Sequence, residues 1–199
     1  DLAAIGEAKW NALVAASGSD NPFVRYEFVH ALHFSGCAAA RSGWEMQYLT
    51  LWHGDDLVGA VPLYRKHHSY GEYVFDWAWA SAYQQHGIHY YPKWLAAIPF
   101  TPVPGARLIA RDSHQQRLLA HALVAHARES DMSSLHVLFA PPGEIEHLAD
   151  AGMLTRHAVQ FHWFNRDYSF DDYLASLAQP KRKKIRAEKR KVSAEGIAF

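Results

Sequence analysis

Residues 90–108 carry the side chains whose types and spacing are best suited to binding chemistry. The segment reads YYPKWLAAIPFTPVPGARL and holds four of the nine prolines in the 199-residue chain. Proline fixes its own φ and favours an extended conformation in the residue before it, so the prolines between residues 99 and 104 predict a rigid loop that ends at Gly105. Such a loop either binds a ligand or braces the turn between a helix and a strand, and the residue types leave both interpretations open. The side chains that it would present are Phe100, Thr101 and Arg107.

A carboxylate precedes this loop in unusual surroundings. Residues 73–80 alternate in a pattern that predicts a strand, with four aromatic residues on one face. Asp76 falls on the other face, among small apolar neighbours. A lone carboxylate in such a setting marks a position with a specific structural or functional role.

Metal and nucleophilic chemistry find little support. The chain has fourteen histidines, and His86 and His89 have a spacing that can place two metal ligands on one helical face. Gly87 lies between them and disfavours a helix, and no carboxylate cluster is close in sequence, so we predict no metal site. The single cysteine, Cys37, has no visible activating base, and it excludes an internal disulfide framework. Nucleophilic catalysis is therefore not expected.

Charge is distributed unevenly along the chain. Residues 1–179 contain 12 Lys and Arg against 18 Asp and Glu, whereas residues 180–199 contain 8 against 2. The basic run 181–191 fits a contact with nucleic acid or an anionic surface, a solvated connecting helix, or a cation cluster for a phosphate-bearing substrate. The run alone favours the connecting helix, and its lack of aromatic residues makes nucleic-acid binding unlikely. The candidate anion-binding residues are Lys181, Arg182, Lys184 and Arg186.

Hydrophobic patterns predict an α/β chain in which helices and strands alternate. The predicted helices span residues 3–16, 24–34, 92–97, 113–129, 144–151 and 170–177, with a basic helix from Pro180. The predicted strands span residues 44–53, 57–66, 73–80, 107–110, 135–139 and 154–164, of which 135–139 reads as a buried central strand. Two helices, a β-meander and then β-α-β-α-β indicate an α+β layered arrangement, with a mixed central sheet and helices on both faces.

No apolar run approaches the length of about 18 residues that a membrane span requires. The N-terminus has no signal-peptide pattern, and we expect a cytoplasmic protein. The last residues, 196–199, resemble a turn followed by the start of a strand. We therefore predict a domain over residues 1–178 and a basic connecting helix over 179–199 that leads towards a second domain.

Several segments together resemble the FemAB-like peptidoglycan biosynthesis/recognition family. They are residues 71–80 (GEYVFDWAWA), Tyr90–Lys93 (YYPK), Pro99–Val103 (PFTPV) with Gly105 and Arg107, and the basic run 181–191. The likeness extends over roughly residues 20–195, and the 71–107 block is its most specific part. It implies a GNAT-like, acyl-CoA N-acyltransferase-like fold in tandem domains. It also implies transfer of an acyl or aminoacyl group to a small-molecule or peptide-like amine acceptor.

The resemblance places acceptor binding near the 90–108 loop, with aromatic rings framing a pocket and Arg107 contacting an anionic group. The implied substrate-binding residues are Tyr83, Tyr91, Lys93, Phe100, Thr101, Gly105 and Arg107. Asp76 and Glu72 are the nearby carboxylates that would take a proton from an amine. If Asp76 is buried, its pKa should rise, which suits a base. A structural hydrogen-bond acceptor is the alternative for Asp76, and we favour it.

The donor side departs from the pattern of such enzymes. A backbone loop at a helix N-terminus commonly holds the pyrophosphate of coenzyme A, but the corresponding segment, Arg111–Gln116, contains no glycine. Asp112 adds negative charge there. An acyl-CoA or aminoacyl donor is therefore not expected to bind this domain alone, and the second domain would contribute. A non-catalytic binding module on the same fold is the alternative.

Overall fold

Several helices of the chain begin or end at proline, glycine or capping residues, as described below. The computed structural model describes residues 2–74, 76–157, 159–164 and 169–197. Two compact units make up the chain, Asp1–Arg156 and His157–Phe199. The division falls earlier than the predicted boundary at residue 178, so the helix that begins at Phe170 groups with the basic helix.

The first unit contains helices near its N-terminus, near its C-terminus and in some of the connections between its strands. They are α1 (Leu2–Ile5), α2 (Glu7–Ala16), α3 (Tyr26–Phe34), α4 (Trp77–Gln85), α5 (Ser113–Glu129) and α6 (Pro142–Asp150). Two short 3-10 turns, Pro22–Val24 and Ala40–Ser42, flank α3. Asp112 caps α5 by accepting a hydrogen bond from the backbone N–H of Gln115. Pro142 begins α6, because proline suits the first turn of a helix.

The strands form two sheets. They are β1 (Trp44–Met46), β2 (Leu49–His53), β3 (Asp56–Val61), β4 (Leu63–Lys66), β5 (Lys93–Ala96), β6 (Ile109–Ala110) and β7 (Leu135–Val137). The first sheet has the order β1-β4-β5-β7, in which β5 and β7 are parallel and the other pairs antiparallel. The second has the order β2-β3-β6 and is antiparallel. Helices and mixed sheets together confirm the predicted α/β class.

Pro62 separates β3 from β4, because proline has no N–H to donate to a sheet. The predicted strand 57–66 is therefore two strands in different sheets. The predicted strand 44–53 divides in the same way, into β1 and β2. The chain thus passes twice from one sheet to the other within about twenty residues.

Four predicted elements were wrong. Residues 73–80 do not form a strand: Trp77 begins α4, since alternating Trp and Ala fits a helix as well as a strand. Residues 92–97 contain the strand β5, whose four residues are all buried, in place of a helix. The strand at 135–139 lies at a sheet edge and is only partly buried. Residues 154–157 and 159–164 adopt neither helix nor strand.

The core of the first unit forms where α2 and α5 cover the sheets. Leu119 and Leu123 of α5 pack with buried residues of β3 and β4, including Val61. Trp10 and its neighbours on α2 pack in a second cluster with residues such as Ile109 of β6. Both helices therefore hold the sheets that position the residues described below.

The second unit contains α7 (Phe170–Ser176) and α8 (Gln179–Ala194). Ser169 and Asp172 form a reciprocal capping box at the start of α7. Pro180 lies in the first turn of α8, which carries the basic run. None of the helices in the described ranges is long and apolar enough to cross a membrane.

Candidate functional site

Buried polar side chains concentrate at one end of the first sheet. β4 ends at Lys66 and β5 begins at Lys93, and these two lysines are directly opposite each other in the antiparallel register. The segment between them leaves the sheet and returns, bringing further polar residues to this end. Five of the seven buried polar or charged residues in the described ranges belong to this group, which we call the lysine–carboxylate cluster: Lys66, Ser69, Glu72, Asp76 and Lys93.

Lys93 is the centre of the cluster and is 1% exposed. Its Nζ donates to Oδ2 of Asp76 at 2.6 Å, to Oε2 of Glu72 at 2.9 Å and to Oγ of Ser69 at 3.2 Å. An ammonium group has three N–H donors, so these acceptors satisfy all of them. A buried charge is tolerated when it is paired and hydrogen-bonded in this way.

Each carboxylate of the cluster uses one oxygen and leaves the other without a partner. Oδ2 of Asp76 accepts from Lys93 and from the hydroxyl of Tyr90 at 2.7 Å, and Oε2 of Glu72 accepts from Lys93. Oδ1 of Asp76 and Oε1 of Glu72 are buried and have no hydrogen-bond partner among the residues that the structure describes. Two acceptor atoms therefore remain available in the same buried region.

The two carboxylates differ in basicity. Burial raises the pKa of Asp76, but the hydrogen bonds from Lys93 and Tyr90 and the charge of Lys93 outweigh it, and the pKa lies below its ordinary value. For Glu72, burial outweighs the attraction of Lys93, and the pKa is raised. The predicted rise in the pKa of Asp76 was therefore wrong. Asp76 stays ionised, and Glu72 is the better proton acceptor of the two.

Lys66 is held differently from Lys93. Its Nζ lies 3.7 Å from the centre of the Trp44 ring and donates to the carbonyl oxygen of Tyr70 at 3.1 Å. Burial and the charge of Lys93 lower the pKa of Lys66 to about 8, although the charge of Glu72 opposes them. Lys66 therefore loses its proton more readily than an exposed lysine.

Aromatic side chains and a histidine surround the Asp76 side of the cluster. The Tyr90 ring contacts the rings of Tyr83 and Tyr91, at centroid distances of 5.2 and 4.9 Å. The Tyr91 hydroxyl shares a hydrogen bond of 2.7 Å with Ser69. His136 of β7 lies 3.3 Å from the Tyr90 hydroxyl, and burial lowers its pKa to about 4, so the imidazole is neutral. Of the residues predicted as substrate-binding, Lys93 thus contacts both predicted catalytic carboxylates, and Tyr83 and Tyr91 pack around Tyr90 beside them.

Arg107 lies apart from the cluster and faces inward. It is fully buried, its Nε donates to the carbonyl of Leu138 at 2.8 Å, and its Nη atoms donate to three carbonyls within residues 103–106. The structure therefore does not present the guanidinium to a ligand, in contrast to the predicted clamp, and this geometry favours the bracing interpretation of the loop. Glu144 completes the brace by accepting from the backbone N–H groups of Arg107 and Leu108.

The remaining predicted loop residues divide between bracing and the cluster. Thr101 donates its hydroxyl to the carbonyl of Pro99, and a Cβ on Gly105 would meet the Asn21 side chain. Phe100 is 39% exposed and packs against Trp44, the ring that carries Lys66. Its ring also lies over Gly71, where a Cβ would come within 2.5 Å of it. Phe100 thus packs on two neighbours of the cluster, Trp44 and Gly71, whereas Thr101 and Gly105 shape the loop.

The N-terminus of α5 is occupied by the chain itself. Asp112 is the capping residue of this helix. The Asp112 carboxylate accepts from the Gln115 N–H at 2.8 Å. A phosphate at this helix end would have to displace a negatively charged side chain.

One other predicted group lies elsewhere. The predicted anion-binding residues are all on α8 in the second unit. Within the described ranges, no group of three or more His, Cys, Asp or Glu side chains is arranged to hold a metal ion.

Sequence reasoning did not select Lys66, Ser69, Tyr90, His136 or Glu144. For Lys66 a signal existed, because it lies two residues after Tyr64 in β4 and therefore on the same buried face of the strand. The other four depend on contacts between distant segments, such as the 46 residues that separate Tyr90 from His136. Such contacts leave no local pattern.

The chain is an α/β protein with a buried lysine–carboxylate cluster at the end of one sheet. A family model described as peptidoglycan biosynthesis/recognition matches residues 1–199, the whole chain. The protein therefore belongs to the FemAB-like family. No curated protein and no solved structure matches it.

Proposed function

We propose that the first unit is the acceptor-binding part of a FemAB-like transferase, which passes an acyl or aminoacyl group to an amine. The family description, peptidoglycan biosynthesis/recognition, supports a small-molecule or peptide-like amine as acceptor. The order of elements supports a GNAT-like fold, since two helices precede antiparallel strands and the parallel pair β5–β7 is connected through α5. The donor, an acyl-CoA or an aminoacyl ester, is held with the help of a second domain of the same protein.

The observation that carries the proposal is the pair of free carboxylate oxygens. Oδ1 of Asp76 and Oε1 of Glu72 are buried acceptors without partners in the described part of the chain, and an amine is the donor that complements them. A buried acceptor without a donor costs about 1–3 kcal/mol, which binding of an amine would recover. Ionised Asp76 suits holding the amine, and Glu72, with its raised pKa, suits accepting a proton.

The reaction then proceeds by ordinary acyl transfer. The amine nitrogen attacks the carbonyl carbon of the donor, a C–N bond forms, and the bond to the sulfur or oxygen leaving group breaks. The proton that the amine loses passes to Glu72, and the leaving group takes a proton from solvent. Burial raises the pKa of Tyr90, so its hydroxyl stays protonated and continues to hold Asp76.

Access to the cluster requires movement, because Glu72 and Asp76 are each 4% exposed. The segment that carries them, residues 69–76, forms neither helix nor strand in its described positions, whereas Lys66 and Lys93 belong to strands. Acceptor binding therefore displaces this segment while the sheet stays in place.

Cys37 is exposed and unpaired, which suits the reducing cytoplasm in which we place the reaction.

Transfer assays on the full chain, with acetyl-CoA or an aminoacyl ester as donor and peptidoglycan-precursor peptides as acceptors, test this proposal. Glu72→Gln should lower kcat by about a hundredfold or more, as expected for loss of a general base. Asp76→Asn should mainly raise KM for the amine. Glu45→Gln is the control, since Glu45 lies on β1 of the same sheet and forms an ion pair with Arg65. A folded Glu72→Gln variant that transfers at the wild-type rate would refute the assignment.

A non-catalytic binding module is the second candidate, and the N-terminus of α5 favours it. Asp112 occupies the position where a transferase of this kind would hold a pyrophosphate, and no glycine lies in Arg111–Gln116. Calorimetry separates the two candidates. Acceptor peptides that bind the chain without turnover by any donor, including in the presence of the second domain, would identify a binding module.

A further inference from the structure

The two helices of the second unit enclose a groove with a cavity volume of about 690 Å³. The residues of α8 that line it recur every three or four positions, from Gln179 to Ser193, so they form one face of the helix. α7 provides the opposite wall through Phe170, Asp171 and Leu174. The volume falls within the range of about 300–1,000 Å³ that is typical of small-ligand sites.

The lining of this groove is strongly cationic. Five basic side chains of α8 line it against a single acidic residue, Asp171. None of the five forms an ion pair with any residue that the structure describes. The five, which we call the groove cations, are Arg182, Lys183, Arg186, Lys189 and Arg190.

The spacing of the groove cations destabilises α8 when no anion is bound. Arg182, Arg186 and Arg190 follow one another at intervals of four residues, so they are neighbours on the helix surface and repel one another. A bound anion would convert this repulsion into attraction. Arginine is well suited to phosphate, because its planar guanidinium donates two parallel hydrogen bonds to the phosphate oxygens.

The other wall of the groove is apolar. Leu174 is buried, and Phe170 keeps 46% of its surface exposed. Nζ of Lys189 lies 4.5 Å from the centre of the Phe170 ring. A ligand in this groove would therefore meet cations on one side and an aromatic and aliphatic surface on the other.

We propose that the α7–α8 groove binds a small organic diphosphate, with its phosphates at the arginines and a planar or apolar portion towards Phe170. A concave groove of this volume suits a compact ligand better than an extended nucleic-acid strand. This site lies in the second unit and does not depend on the proposed transferase chemistry of the first.

The groove also redefines the anion-binding set predicted from the sequence. Arg182 and Arg186 belong to it, whereas Lys181 and Lys184 do not line the groove. Lys184 instead lies 3.8 Å from Glu188 on the exposed surface. The same helix carries three lysines outside the groove, Lys181, Lys184 and Lys191, which equal in number the three arginines inside it and therefore provide a control.

Isothermal titration calorimetry on the full chain tests the proposal with ADP, coenzyme A, inorganic pyrophosphate and adenosine. The groove variant replaces Arg182, Arg186 and Arg190 by Gln, and the control variant replaces Lys181, Lys184 and Lys191 by Gln. We expect the diphosphates to bind wild type and adenosine not to bind. The groove variant should lose at least about tenfold in affinity, and the control should stay within about twofold. Circular dichroism verifies that α8 remains helical in both.

The outcomes that would overturn the proposal are distinct from those of the transferase assay. Equal losses in both variants would indicate a general cationic surface. A short single-stranded RNA that binds more tightly than the diphosphates, with a steep salt dependence, would assign the helix to nucleic acid. If ADP and pyrophosphate bind with equal affinity, the planar portion of the ligand does not contribute to binding. If no diphosphate binds, the groove is not a diphosphate site.

Discussion

Replacing Lys93 by Met should destabilise the first unit by about 4 kcal/mol at neutral pH. Lys93 is the partner of both Glu72 and Asp76, at 2.9 and 2.6 Å, and all three side chains are 5% exposed or less. Without the ammonium, a buried carboxylate must be neutralised. Taking a carboxyl group of ordinary pKa, about 4, to its neutral form at pH 7 costs about 4 kcal/mol, since each pH unit corresponds to 1.36 kcal/mol. The value agrees with the 3–5 kcal/mol typical of a broken buried ion pair.

The cost corresponds to one neutralisation, because the charge of Lys66 still acts on Glu72 in the variant. It should also depend on pH. In the variant the folded state has raised carboxyl pKa values and binds more protons than the unfolded state, so its stability falls as pH rises. The same arithmetic gives a cost of only about 1–2 kcal/mol at pH 5. The difference between wild type and variant should therefore grow between pH 5 and pH 7.5.

Urea unfolding followed by tryptophan fluorescence at pH 5 and pH 7.5 measures this difference. Six of the seven tryptophans lie in the first unit, so the signal reports mainly on it. Lys66→Met is the control, because Lys66 is equally buried but touches a carbonyl and a ring in place of two carboxylates. Its effect should not change between these pH values. A loss below about 1 kcal/mol for Lys93→Met, or one that is equal at both pH values, would refute the ion-pair account.

Three further predictions follow from buried charges. The pKa of Lys66 is lowered to about 8, so between pH 8 and the ordinary pKa of 10.5 the unfolded state binds more protons than the folded state. The stability of the wild type should therefore rise across that window relative to Lys66→Met. Urea unfolding at pH 7.5 and 9.5 measures this difference. Burial raises the pKa of Glu144 to about 7, so its contribution to stability is lost as pH rises from about 4.5 through 7, and Glu144→Gln should remove that decline in Tm. Arg107→Ala leaves several carbonyls without donors and should cost about 3 kcal/mol of stability, with acceptor affinity unchanged in the folded fraction. Reduced affinity with unchanged Tm would instead restore Arg107 as a ligand contact.

Elements with clear punctuation could be predicted from the sequence. The helix α6 was expected over 144–151 and spans Pro142–Asp150, because a proline pair precedes it and Gly152 follows it. The helix α5 was expected over 113–129 and has those bounds. Capping and helix-breaking residues determine the bounds of such helices, so these can be predicted without knowledge of tertiary contacts.

The helix α4, which was predicted as a strand, and the strand β5, which was predicted as a helix, show where local patterns fail. The Trp-Ala-Trp-Ala run at 77–80 has the alternation of a strand, but alanine favours a helix, and the two tryptophans are more than half exposed on α4. β5 has four buried residues and begins with a charged one, so neither its length nor its composition indicates a central strand. Lys93 is buried there because Glu72 and Asp76 contact it from 21 and 17 positions away, and no local pattern encodes these contacts.

The proline-rich loop and the cluster are mechanically connected, which changes what the loop contributes. The loop uses Arg107 internally, so its rigidity does not serve to aim that cation at a ligand. What it does hold is Phe100, whose ring contacts Trp44 and covers Gly71, and whose N–H donates to the Gly71 carbonyl at 3.2 Å. Glu72 is the next residue. In the proposed transferase, a movement of residues 69–76 that admits an amine would break the hydrogen bond between Phe100 and Gly71, and the braced loop would oppose that movement.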